Sequence, residues 1–201
     1  PATDQTVECD GLGNNTELNN WLNNNGNAIA SDICGGVTWS FNLGALTDDC
    51  GGGATQEVTF VATDDCGNST GTNANFIIED TTPPAIGTSA ADQTVECDGS
   101  GNTTEFNTWL DNNGGAAATD ICSGVTWSNN AGSLSDECGA TGSVNVIFTA
   151  TDDCGNFSVT DATFTIEDTT APFIGIPAVD ETVECDGTGN VAAYQAWLAN
   201  N

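Results

Sequence analysis

Oxygen and sulfur carry all the side-chain chemistry open to this chain. It has 29 Asp and Glu residues and no Lys, Arg or His. The acids fall in adjacent pairs, Asp48-Asp49, Asp64-Asp65 and Glu79-Asp80, which return as Asp136-Glu137, Asp152-Asp153 and Glu167-Asp168. Carboxylates grouped with Asn side chains and backbone carbonyls form the ligand set of calcium, which takes about six to eight oxygens. No side-chain salt bridge can form, which leaves solvent, cations, backbone N–H groups and helix N-termini to answer these charges in place of basic side chains.

The same inventory argues against several functions. Without His there is no nucleophile–base pair, without Lys no Schiff base, and without Arg no phosphate clamp. Two carboxylates can in principle run a glycosidase, but Asp64-Asp65 belongs to a cysteine loop that recurs as Asp152-Asp153. Duplicated active sites in small tandem units would be unusual, and the chain is expected not to be an enzyme. Nucleic acid and anionic membranes would be repelled, and no apolar run is long enough to insert directly into a membrane.

Nine cysteines at regular spacings point to an oxidising, extracellular compartment. Zinc is disfavoured because there is no CxxC and no His. Cys9, Cys34, Cys50 and Cys66 return 88 residues later as Cys97, Cys122, Cys138 and Cys154. The phrase IEDTTPPAIG at 78–87 returns as IEDTTAPFIG at 166–175, and Trp21 and Trp39 return as Trp109 and Trp127. A third copy opens with DETVECDGTGN and holds Cys185. The organisation expected is repeat 1 at 1–84, repeat 2 at 85–172 and the start of a third at 173–201. The chain reads as a piece of a longer exported protein.

Within a repeat, QTVEC at 5–9 alternates as a strand. Residues 15–26 place Leu18, Trp21 and Leu22 on one helical face and stop at Gly26. Strands follow at 36–40, 57–64 and 72–80, with turn residues between them. The class expected is all-β: tandem immunoglobulin-like antiparallel sandwiches, each with one short helix and two disulfides. Four cysteines allow three pairings. TDICGG and TDDCGN look like loops at one end of the sandwich, which favours Cys34–Cys66 with Cys9–Cys50, and so Cys122–Cys154 with Cys97–Cys138.

The combination of TVECDG, WL, DIC.GVTWS, TATDDCGN and IEDTTAP resembles the four-cysteine HYR-like (hyalin-repeat) modules of giant Bacteroidetes surface adhesins. That resemblance implies a gliding-motility type of adhesive filament, exported by the type IX route and built of stacked domains. Its partners would be neighbouring repeats of the same fibre, and other copies where filaments assemble. DTT at 80–82 and 168–170 resembles a Bacteroidetes O-glycosylation signal, with Thr81 and Thr169 as acceptors. N-x-S/T patterns also occur at Asn14, Asn68, Asn102 and Asn156.

The strongest site expectation lies at the repeat boundary. The strand ending in Glu79-Asp80 runs into Pro83-Pro84, a stiff extended joint. End-to-end stacking brings these acids towards Asp120 and Asp152-Asp153, with Glu167-Asp168 serving the next boundary. Without a basic residue this meeting is repulsive, so structural Ca2+ is expected among them. Two rival functions remain: a carbohydrate-binding array using Trp21, Trp39, Trp109 or Trp127 as platforms, and a filament subunit whose partial third repeat is completed by a neighbouring chain.

Overall fold

The computed structural model describes residues 1–135 and 139–200 in two compact units, Pro1–Asp168 and Thr169–Asn201. Asp136, Glu137 and Cys138 lie outside the described residues.

In the first copy, β1 (Gln5–Glu8) is followed by α1 (Asn15–Asn23), β2 (Val37–Asp48), β3 (Ala54–Asp64) and β4 (Ser69–Glu79). The sheet order is β1-β4-β3-β2. β2, β3 and β4 pair antiparallel, as their alternation implies, but β1 joins β4 in parallel, with Val7 opposite Ile78 and Glu8 opposite Glu79. A parallel neighbour needs a long crossover rather than a hairpin.

The second copy adds β5 (Ala85–Thr88), β6 (Gln93–Glu96), α2 (Thr103–Asp111), β7 (Ala117–Thr119), β8 (Val125–Asn129), β9 (Gly142–Asp152) and β10 (Phe157–Glu167). Its main sheet, β6-β10-β9-β8, repeats the first, and β5 pairs with β7 in a small second sheet. The result is the expected all-β sandwich architecture with one short helix per repeat. The second layer is thin, and the helix supplies much of its packing.

The core follows from the alternation. Val58, Phe60, Ala74, Phe76 and Ile78 point to one face of the first sheet and are buried there under Trp21 and Leu22 of α1. Trp21 meets Phe60 edge to face at 5.0 Å, and Trp109 meets Phe148 in the same way at 5.2 Å. Each buried indole also satisfies its N–H, Trp21 on the Thr3 carbonyl and Trp109 on that of Ala91. Gly26 ends the helical segment at φ +60°, and a Cβ there would come within 2.6 Å of the Phe60 ring. Only glycine gives both the turn and the clearance.

A polar knot joins β1 to the helix. Asn14, 3% exposed, sits in the left-handed region at φ 47°, a conformation Asn tolerates better than most residues. Its Nδ2 donates to the Glu8 carbonyl, and its own amide donates to Asp10 Oδ1. The same bonds recur at Asn102-Asp98 and Asn190-Asp186. CDGxGN is thus a turn device that ends the strand and aims the helix.

The second unit contains α3 (Val191–Ala199) and no strand among its described residues. Trp197 Nε1 donates to the Val179 carbonyl, reproducing the bond of the other two copies. The segment equivalent to β1, residues 181–184, is irregular.

Candidate metal centre at the repeat junction

Both ends of each sheet carry cysteines, and the ladder register places them. Ala54 pairs with Ile78 at one end of β3 and Thr63 with Ser69 at the other, roughly 30 Å apart at 3.3 Å per residue. Cys9 and Cys50 lie at the Ile78 end, and Cys34 and Cys66 at the Ser69 end. That much matches the expected placement.

The bonding does not. Cys9 is joined to Cys122 and Cys50 to Cys154, with Cα–Cα distances of 6.1 and 5.0 Å. Cys34–Cys66, Cys9–Cys50 and Cys122–Cys154 are not formed, and among the described residues Cys34, Cys66, Cys97 and Cys185 are unpaired. The expected Cys97–Cys138 pair involves a residue outside the described ones. The physical reason is stacking: the Ser69-type end of the second repeat meets the Ile78-type end of the first, so the two cysteine pairs at the boundary face each other across it. Glycines admit this contact. A Cβ on Gly52 would lie 2.9 Å from Cys9 Sγ, and one on Gly51 3.1 Å from Ser123 Cβ.

The acids Asp80, Asp120 and Asp152 converge beside this covalent clamp, each offering an oxygen within 4.8 Å of the others. Asp80 and Asp152 are buried, at 6% and 5% exposed. Asp120 accepts three bonds, all on Oδ1, from the amides of Cys122 and Ser123 and the Ser123 hydroxyl. Asp152 Oδ1 accepts from the amides of Cys154 and Asn156, and its Oδ2 from Asn156 Nδ2 at 2.8 Å. Asn156 Nδ2 also donates to the Asp80 carbonyl at 3.0 Å, reaching from the second repeat to the first.

Asp80 is the unsettled member. Its Oδ1 receives a long bond from the Thr82 amide, while Oδ2 is buried without a hydrogen-bond partner. Burial pushes its carboxyl above the usual aspartate range, the Thr82 amide pulls it back, and Asp120, Asp152 and Glu8 add repulsion. A buried carboxylate oxygen with no donor, facing two other carboxylates, is costly unless a cation joins them. The donor set is all oxygen and hard, which suits calcium or magnesium rather than zinc or copper.

The other expected ligands stand apart. Glu79, Asp153, Glu167 and Asp168 are exposed and outside the cluster. The Asp153 backbone amide instead donates to the Ser123 hydroxyl oxygen.

Glu8 had no role in the sequence reading and holds the joint. It accepts from the Thr81 amide and hydroxyl and from the Thr82 hydroxyl, at 2.7 to 2.9 Å, and these bonds lower its pKa, the Thr82 hydroxyl foremost. Thr81 is exposed but its hydroxyl is engaged; Thr169 opens the second unit. All four N-x-S/T asparagines commit Nδ2 to internal bonds. Asn156 and Glu8 could have been suspected from the recurrence of DDCGN and TVEC, but not their partners, which lie 76 and 73 residues away.

No helix among the described residues is long and apolar enough to cross a membrane. No family profile and no curated protein matches the chain. Among solved structures, human CDH23 EC21-23 superposes at 16% identity over 56% of this chain and 43% of that one, with a TM-score of 0.28. Drosophila N-cadherin EC1-4 does so at 12% identity over 84% and 48%, with a TM-score of 0.32. Mouse clustered PcdhgC3 EC1-3 does so at 11% identity over 84% and 66%, with a TM-score of 0.29. The chain spans less than half the length of the first two, and superpositions this loose carry no information on what it does.

Proposed function

We propose that this chain is a structural and adhesive segment of a long extracellular surface fibre, in which stacked, disulfide-stapled repeats are made rigid by calcium at their junctions. The repeat units are 1–84 and 85–172, with a third beginning at 173. One observation carries the ion: Asp80, buried at the end of the first repeat with an unpartnered oxygen, meets Asp120 and Asp152 of the second. Calcium held there would take an oxygen from each carboxylate and fix the angle between repeats. It would turn a repulsive boundary into a cohesive one.

Adhesion, export by the type IX route and a part in gliding rest on the resemblance to HYR-like repeats. O-glycosylation at Thr81 would compete with the Glu8 bonds that hold the joint. The carbohydrate-array reading loses support at the tryptophans. Trp21 and Trp109 are buried with their N–H groups committed, and Trp39 and Trp127 are half-buried against the cores.

Thermal unfolding with calcium and then with a chelator tests the reading. Calcium at about a hundred times its Kd should add about 2.7 kcal/mol, or roughly 5–10 °C for a chain of this size. An unchanged midpoint after chelation would overturn the junction ion.

A further inference from the structure

We infer that the two disulfides at this junction are one step of a continuous ladder, and that Cys34, Cys66 and Cys97 are rungs awaiting further copies of the same repeat. The bonded pairs are Cys9 with Cys122 and Cys50 with Cys154. Shifted back by one period, Cys122 and Cys154 become Cys34 and Cys66; shifted forward, Cys9 becomes Cys97. The cysteines that find no partner are those whose partner belongs to a copy before or after.

The surfaces at the two ends bear this out independently of sulfur. At the formed junction Gly11 is crowded, and a Cβ there would lie 2.8 Å from the Ile121 carbonyl oxygen and 2.9 Å from its side chain. Its equivalent Gly99, and Gly139, the equivalent of Gly51, would meet nothing within 4 Å. At the opposite end Cys34 and Cys66 are exposed, and Ile33, the equivalent of Ile121, is 102% exposed against 76% for Ile121 at the formed junction. Each end therefore presents half of the interface already seen once, and the occupant that fits is another copy. The copies are not identical at this surface: Gly35 stands where Ser123 meets Gly51, and Ala140 stands where Gly52 meets Cys9 Sγ, so the next junction must open by a few tenths of an ångström to admit the Ala140 methyl group.

Each rung forms by oxidation of two thiols. Two electrons and two protons pass to an oxidised dithiol carrier of the export compartment, whose own disulfide is reduced to two thiols.

The ladder changes how a fibre bears load. Tension entering a repeat at Cys66 can leave at Cys50, 16 residues away, without passing through the rest of the 88-residue period. A fully unfolded repeat could then lengthen to only about 55 Å, against about 300 Å for an uncross-linked one, at up to 3.6 Å per residue. The folded sheet already spans roughly 30 Å, so unfolding yields little slack. Pairing within repeats would leave every linker as an extensible segment. This inference does not depend on the junction ion.

The test completes the third repeat by appending a copy of residues 114–172 after Asn201. Non-reduced digestion at Asp and Glu, followed by mass spectrometry, should link Cys97 to the appended copy of Cys122, alongside Cys9–Cys122 and Cys50–Cys154. Pulling the same chain should give at least a threefold longer contour after reduction for the segment between rungs. Cys97 linked to Cys138, Cys97 left as a thiol, or an oxidised chain extending as far as the reduced one would overturn the ladder.

Discussion

Asn156 Nδ2 lies 3.0 Å from the Asp80 carbonyl oxygen and 2.8 Å from Asp152 Oδ2, so one amide ties the end of the first repeat to the acid loop of the second. The equivalent Asn68 makes the matching bond to Asp64 Oδ2 within its own loop. Replacing each by Ala separates turn from junction. Asn68→Ala should cost about 1 kcal/mol, as for a single hydrogen bond, and Asn156→Ala about 2–3 kcal/mol, because it also leaves buried acceptors unpaired. Urea unfolding of the two variants measures the difference, and equal losses would remove the junction role of Asn156.

Asp80→Asn should act in opposite directions with and without the ion. In chelator, the amide can donate to Asp120 or Asp152 and removes one of three converging charges, so the variant should be more stable than the parent by about 1 kcal/mol. In calcium the order should reverse, because a ligand is lost. Thermal melts of both proteins in both conditions read the crossing; parallel shifts would contradict it.

The raised pKa of Asp80 sets the pH dependence. The folded state holds this proton more tightly than the unfolded chain, whose carboxyl titrates near 3.8. Its stabilising contribution is therefore complete below that value and lost as pH rises through the raised one. Glu8 and Asp64 have lowered values, and their contributions run the other way, present above the ordinary range and lost as pH falls. Parent minus Asp80→Asn, compared in chelator across acidic pH, isolates the first effect: the parent should gain on the variant as pH falls. A flat difference would count against the burial of an ionised Asp80.

Much of this was legible in the residues, and the reason it stopped is physical. Strand alternation placed Val58, Phe60 and Ile78 inside, and helical spacing put Trp21 over them, because both periods are local. The ends at which Cys9, Cys34, Cys50 and Cys66 lie also follow from turn positions. Their partners do not, because bonding within a repeat and bonding across a boundary have the same local sequence and differ only in how two repeats stack. β1 was readable as a strand, but its parallel pairing with β4 was not, because alternation fixes a strand's faces and neither its neighbour nor its direction; the short β5–β7 ribbon escaped notice because four- and three-residue strands carry little alternation. Asp80, Asp120 and Asp152 could be named because a repulsive boundary needs an ion, whereas Glu79 and Asp153 share the charge but are exposed and lie outside the cluster.

The cross-repeat disulfides should dominate stability. Cys9–Cys122 and Cys50–Cys154 close separations of 113 and 104 residues, and in the chain-entropy account a loop of about 100 residues contributes about 4.7 kcal/mol. Cys9→Ser with Cys122→Ser should lower the unfolding free energy by about 4–5 kcal/mol in urea melts. A loss below about 1 kcal/mol would mean the unfolded chain is hardly constrained by this bond.

The central claim is that Asp80, Asp120 and Asp152 hold a divalent cation where two repeats meet. Calorimetric titration of the parent chain and Asp80→Asn with calcium tests it most directly. The parent should show a saturable site that is missing from the variant, with any weak binding to scattered surface acids common to both. Identical isotherms, or no saturable binding to the parent, would contradict the claim.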